Sequence, residues 1–156
     1  MTSQPGPRLA TSASELALFK GPDHLYSSDG LELQLTERYF YSDDKMPGYE
    51  YAIKISGEEA GTCTMLIASD FDKIAAFGNF GMELERKFYG KQLTPKVVIA
   101  AYELFKKHGQ QNILLAFDEG KRSVEQACDE LGGHYITDYT SPEGKIIKKR
   151  FVVKVK

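Results

Sequence analysis

Leu31, Leu33 and Leu35 alternate with Glu32, Gln34 and Thr36, the two-residue period of a strand with one buried face, which predicts a strand over 31–36. Tyr49, Tyr51, Ile53 and Ile55 alternate in the same way, and Ser56-Gly57-Glu58-Glu59 supplies a tight turn into an apolar run over 61–68. This predicts a hairpin. A loop with Asp70, Asp72 and Lys73 leads to a further strand at 76–84, punctuated by Gly78 and Gly81.

Beyond residue 90 the period changes. Val97, Val98, Ala101, Leu104 and Phe105 recur at helical spacing, with Thr94 expected as N-cap, Pro95 in the first helical position and Gly109 as the stop. His108, in the last turn beside Lys106 and Lys107, is expected to act as a cation against the helix dipole. An apolar strand follows at 112–117, so strand, helix and strand form a βαβ-like unit that favours parallel pairing. Ser123 and Gln126 have capping-box spacing for a short helix that presents Val124, Ala127, Cys128 and Leu131 and ends at Gly132-Gly133. The strands 135–140 and 146–155, joined by Ser141-Pro142-Glu143-Gly144, complete a C-terminal hairpin. The expected class is α/β in the mixed α+β sense: a mostly antiparallel sheet, flanking helices and one parallel βαβ-like unit.

Composition narrows the class of partner. The chain has 156 residues, 42% hydrophobic and 27% charged, with a formal net charge of −2, which fits one domain at 15–156 and gives no overall attraction to nucleic acid or anionic membrane. Residues 1–14, rich in Ser, Thr, Pro and Gly, are expected to form a flexible leader. Cys63 and Cys128 are too few for a disulfide framework, and neither they nor His24, His108 and His134 have metal-ligand spacing. No apolar run approaches the ~20 residues of a spanning helix, and a cytoplasmic location is expected. The basic run of Lys145, Lys148, Lys149, Arg150, Lys154 and Lys156 lacks the organised aromatic platforms of a single-strand binder. Its lysines are expected to blunt an edge strand.

The stretch from Gly78 to Thr94 carries the candidate chemistry. A strand passes through a basic, glycine-bearing loop into a helix, where helix-start amides and the dipole would hold a phosphate with help from Lys87 and Lys91. The alternative is a plain turn at Gly90 with two solvated lysines.

The order of strand, basic glycine loop, helix, strand, acidic loop, short helix and Gly-Gly from Gly78 to Tyr135 resembles the central part of the GNAT N-acyltransferases. In that family the loop carries Gln or Arg, two free positions, Gly, one free position, then Gly or Ala, and its amides cradle the pyrophosphate of coenzyme A. Lys87, Gly90 and Gln92 stand in that register. Asp118 to Val124 and Asp129-Glu130-Leu131-Gly132-Gly133 occupy the later landmarks, Gly48 to Ile53 and Gly61 to Leu66 look like the family hairpin, and Lys148-Lys149-Arg150-Phe151 resembles its closing strand. The likeness covers about 31–155. Three positions depart from it: Gln92 replaces Gly or Ala, Lys121 replaces Asn, and Val124 replaces Ser, with Ser123 adjacent.

The resemblance implies transfer of an acetyl or other acyl group from acetyl-CoA, as co-substrate, to an amine of a small molecule or protein, by direct attack and without a metal. It places the coenzyme against Met82, Leu84, Lys87, Phe88, Tyr89, Gly90, Lys91, Gln92, Leu93, Thr94, Lys121 and Ser123. Glu83 is the candidate base, or an exposed strand glutamate. Cys128 stands where the family often has a tyrosine that protonates the departing thiolate, and it is read either as that acid or as one more core residue. The alternative function is a GNAT-like domain without catalysis that serves as a binding or interaction module, which the three departures favour.

Overall fold

A computed structural model describes residues 8–26, 30–41, 46–118 and 122–156. The elements run β1 (Arg8–Leu9), α1 (Ala13–Leu16), β2 (His24–Tyr26), β3 (Leu31–Tyr41), β4 (Met46–Ile55), β5 (Glu58–Leu66), β6 (Phe80–Leu84), α2 (Leu93–Lys107), β7 (Asn112–Asp118), α3 (Arg122–Glu130), β8 (His134–Thr140) and β9 (Ile147–Lys154). Of the expected leader, 1–7 lie outside the described residues. Arg8 and Leu9 pair with Phe40 and Tyr39 of β3, and Ser12 with Glu15 forms a capping box at α1.

The first sheet has the order β1-β3-β4-β5-β6, with β2 also paired to β3, and the second has the order β7-β9-β8. Every strand pair in the two sheets, among the described residues, is antiparallel. The β4–β5 hairpin turns on Ser56 and Gly57, whose φ values of 51° and 84° suit the right-handed twist of the strands it joins. The alternating residues Leu31, Leu33, Tyr49, Tyr51 and Ile53 are buried against the predicted stripe of α2, in which Val97, Val98, Ala101, Leu104 and Phe105 are all buried. The cores of the two sheets are continuous through Ile113, Leu115, Phe151 and Val153.

Four local expectations are corrected. The helix α2 begins at Leu93, not after a Thr94 cap. Its N-cap is Gln92, in the left-handed region at φ 54° and ψ 44°, with no side-chain cap bond. Pro95 therefore sits at the third helical position, where its missing N–H is still one that no intrahelical carbonyl would accept. The strand expected at 76–84 is shorter, because Phe71–Ile74 forms a 3-10 turn capped by Asp70 and β6 starts only at Phe80. The lysine-bearing β9 is no edge: it lies between β7 and β8, with Lys148 paired to Asp118 at 2.8 Å and Lys149 to Glu125 at 2.7 Å.

The fourth correction concerns His108. Its Nε2 accepts the Lys20 amide at 3.3 Å and the Tyr49 hydroxyl at 2.6 Å, and that hydroxyl accepts the Gly21 amide at 3.0 Å. An accepting Nε2 belongs to a neutral ring. Burial, with the nearby Lys20 charge, lowers its pKa below the ordinary 6.5, so desolvation outweighs the helix dipole here. A depressed folded-state pKa contributes stability above the unfolded value that is lost as pH falls through the folded one. The melting temperature should therefore drop below pH 6.5 more steeply in the native chain than in His108→Gln. Calorimetric scans between pH 7.5 and 5 measure the difference, and parallel curves would contradict it.

Candidate functional site

The two strands of the βαβ-like unit, β6 and β7, belong to different sheets and are hydrogen-bonded to one another just ahead of β6, at Asn79. The Asn79 amide donates to the Leu114 carbonyl at 2.8 Å, and its side-chain Oδ1 accepts the Leu114 amide at 2.7 Å. The Asn79 Nδ2 then donates to the carbonyls of Leu66 at 2.8 Å and Ala68 at 3.0 Å. Asn79 is 1% exposed, so a side chain that satisfies three backbone groups fastens the sheets together. Gly78 permits the approach: it has a φ of 71°, and a Cβ there would stand 2.5 Å from the Leu114 carbonyl oxygen.

Past Asn79 no further main-chain bond joins β6 to β7 among the described residues. The Glu85 amide donates to Ala60 of β5. Since main-chain groups alternate along a strand, those of Met82 and Leu84 face away from β5, along the open edge. A cavity of about 780 Å³ lies there, lined by Met82, Glu83 and Leu84 of β6, by Phe88, Tyr89, Gly90 and Gln92 of the loop, by Leu93, Thr94 and Pro95 of α2, and by Gln126, Ala127 and Glu130 of α3.

The loop is shaped by two left-handed residues. Gly90 has a φ of 78°, and a Cβ there would meet nothing within 4 Å, so the cavity is open at that point. Gln92 adopts a φ of 54°, a conformation that costs an ordinary residue about 1 kcal/mol. The glycine-type backbone is thus kept at the position where the GNAT pattern has Gly or Ala, and a side chain is added to the lining. Gln92→Gly should remove both the strain and the obstruction. Its expected effect is a gain of about 1 kcal/mol in stability and tighter coenzyme binding, read from denaturant unfolding and titration; weaker binding would show that Gln92 contributes a contact instead.

Most of the residues expected at the coenzyme come together: Met82, Leu84, Phe88, Tyr89, Gly90, Gln92, Leu93 and Thr94 all line the cavity, as does Glu83, whose side chain is exposed at its margin. Lys87 and Lys91 do not line it. Lys87 is paired with Glu58, and its Nζ and that of Lys91 lie 5.3 and 5.5 Å from the Phe88 ring centroid. Lys121 and the Ser123 side chain lie outside the described residues.

Cys128 is not brought to the cavity. It is fully buried in the core, and burial, then the charges of Asp129 and Glu125, push its thiol up to about 12. A thiol so placed packs as one more apolar residue of the core. Cys128→Ala should leave ligand binding and turnover unchanged while costing about 1 kcal/mol of stability, the order of a small core deletion. A large loss of turnover at preserved stability would restore it as an acid. Asn79 went unnoticed in the sequence, where a lone polar residue ahead of an apolar strand gives no signal of its partners.

The fold is that of the GNAT N-acetyltransferases. Neither a protein-family model nor a curated protein sequence matches the chain. Among solved structures it is similar to RimL, a ribosomal L7/L12 alpha-N-protein acetyltransferase in complex with coenzyme A, with a TM-score of 0.56 and 12% identity over 69% of this chain and 62% of that one. A variant of the spermidine N-acetyltransferase SpeG from Vibrio cholerae gives a TM-score of 0.55 and 12% identity over 69% and 64%. The microcin C7 self-immunity acetyltransferase MccE, in complex with acetyl-CoA and AMP, gives 0.54 and 11% over 69% and 61%. The chain thus spans less than two thirds of the length of these neighbours. No helix among the described residues is long and apolar enough to cross a membrane.

Proposed function

We propose that the chain transfers an acetyl group from acetyl-CoA to an amine by direct attack. The observation that carries this reading is the opening beside β6: a cavity bounded by the outward main-chain edge of Met82–Leu84, the Gly90 loop and the start of a 15-residue helix without a side-chain cap. Helix-start amides and dipole suit a phosphate at the loop. A thioester carbonyl laid along β6 would meet an outward N–H of Met82 or Leu84, donors fixed by the strand before any negative charge develops on the oxygen. The neighbours RimL and MccE, which share the fold, are in complex with coenzyme A and with acetyl-CoA and AMP respectively.

An amine with a pKa near ~10 is almost wholly protonated at neutral pH, so the attacking form must be generated at the site. Glu83, on the cavity margin, takes the amine proton directly or through water. The nitrogen forms a bond to the carbonyl carbon, and the carbon–sulfur bond breaks. A thiol with a pKa of about 8.5 leaves readily as thiolate, which removes the need for Cys128 as an acid. Lys87, Lys91, Lys121 and Ser123 are assigned to the coenzyme on the family register, and the acceptor to the open side of Glu83.

The test is release of coenzyme A thiol from acetyl-CoA across a panel of small amines and peptides, including polyamines and peptides with free N-termini. Glu83→Gln should lower kcat by about a hundredfold with little change in acetyl-CoA affinity. A second reading, a binding module without turnover, is favoured by Gln92 in the lining. Saturable acetyl-CoA binding with no thiol release for any amine would establish it in place of catalysis.

A further inference from the structure

The charges on the side of the molecule away from α2 are sorted into two halves. Cross-strand partners share a sheet face, and Glu50 alternates with the buried Tyr49 and Tyr51, so Glu50 and its partner Glu37 stand on the outer face of the first sheet. Glu32 and Lys54 on that face oppose one another and offset. Glu37 and Glu50 have no cation within ion-pair distance among the described residues, and like charges directly opposed across strands are destabilising. In the second sheet Arg150 alternates with the core residue Phe151 and so stands on the outer face. Lys148 on that face is satisfied by Asp118 at 2.8 Å. Arg150 has only a 3.4 Å bond to the Thr137 carbonyl and no carboxylate partner among the described residues.

The two outer faces meet at an apolar seam. Leu66, which alternates with the core residue Met65, packs with Leu114, and Tyr39, Phe71 and Val152 are partly buried at the margin of this cluster. From the seam row of Tyr39, Gly48 and Leu66 to the row of Glu37 and Glu50 is a step of two residues. The step from Val152 to Arg150 is also two residues, and each spans about 7 Å. Acid and base therefore flank the seam at equal distances, the arrangement that a two-fold axis makes self-complementary. We infer that a second copy of this chain docks on this side about a two-fold axis through the seam, with Glu37 and Glu50 of each copy against Arg150 of the other. A net charge of −2 leaves little overall repulsion between copies. Glu37, Glu50 and Arg150 do not line the cavity, so this contact stands or falls independently of acyl transfer.

Sedimentation velocity of the full chain reads the oligomeric state. A dimer is expected at submillimolar concentration, and its dissociation constant should rise as the Debye length shrinks from about 10 Å at 0.1 M salt to about 3 Å at 1 M. Glu37→Arg and Arg150→Glu should each weaken the dimer by about a hundredfold, because the axis makes every like-charge contact occur twice. Mixing these two variants should restore a dimer with one copy of each, since both of its contacts are then attractive, and restoration separates a lost contact from a lost fold. Arg150→Gln, which removes the charge without reversing it, should weaken the native dimer less than Arg150→Glu. A native chain that stays monomeric overturns the inference, as does a dimer that neither reversal weakens. Two variants that keep the native calorimetric transition and fail to pair when mixed overturn it as well. A monomer that retains a lysine-rich peptide, with the retention lost in Glu37→Arg, would overturn it and give the acidic half to a basic partner.

Discussion

Replacing Asn79 by leucine should lower the melting temperature by about 10 °C. The substitution removes three side-chain hydrogen bonds, at 2.7, 2.8 and 3.0 Å, and strands the Leu114 amide, on a residue that is 0% exposed. Each buried main-chain group left without a partner costs about 1–3 kcal/mol, and a chain of this size loses about 2–4 °C for each kcal/mol. The consequence extends to the site. Asn79 is where the two sheets are fastened, so a looser junction changes the spacing of β6 from the rest of the cavity, and acetyl-CoA affinity should fall with stability. Scanning calorimetry gives the first effect and titration below the melting transition gives the second. A shift of less than 2–3 °C would show that the Asn79 side chain adds little to the main-chain bond at Leu114 and to the apolar packing between the sheets.

The second large effect is expected at Gly90. Gly90→Asp places a carboxylate at the loop that is assigned to the phosphates, and a like-charge pair at such a distance weakens binding by about a hundredfold after screening. Gly90→Asn separates charge from backbone. Both side chains must adopt the φ of 78°, both tolerate the left-handed region better than other residues, and a Cβ at this position touches nothing. Asn should therefore share the small stability cost of Asp and retain most of the affinity. Equal losses in the two variants, measured as dissociation constants for acetyl-CoA, would mean that backbone strain matters at Gly90 and negative charge does not.

The parts of the structure legible in the sequence are those that local periodicity controls. The stripe of Val97, Val98, Ala101, Leu104 and Phe105 is buried as a helix face, and Tyr49, Tyr51 and Ile53 are buried as a strand face, because each pattern allows one orientation of its element. The Ser56-Gly57 turn was legible for the same reason. The misplacements come from non-local or backbone-specific choices. Thr94-Pro95 has the composition of a cap and first helical residue, yet Gln92 takes the left-handed conformation and the helix starts one residue before Thr94.

Whether β9 is an edge or a centre depends on where β8 lies, and nothing within the run of lysines encodes that. His108 carries a dipole-friendly position into a half-buried one, and only the tertiary partners Tyr49 and Lys20 show that the ring is neutral. In the site, the loop residues of the GNAT register were legible as a group. The separation of Lys87 and Lys91 from the lining was not, because it depends on Phe88 and on Glu58 from a different hairpin.

Acyl transfer requires the opening beside β6 to hold a coenzyme A thioester. Calorimetric titration of the full chain with acetyl-CoA tests it most directly, before any acceptor is known. Saturable binding with one ligand per chain is expected, with competition by coenzyme A and a strong loss in Gly90→Asp at unchanged fold. Absence of binding at millimolar acetyl-CoA by the folded native chain would contradict it.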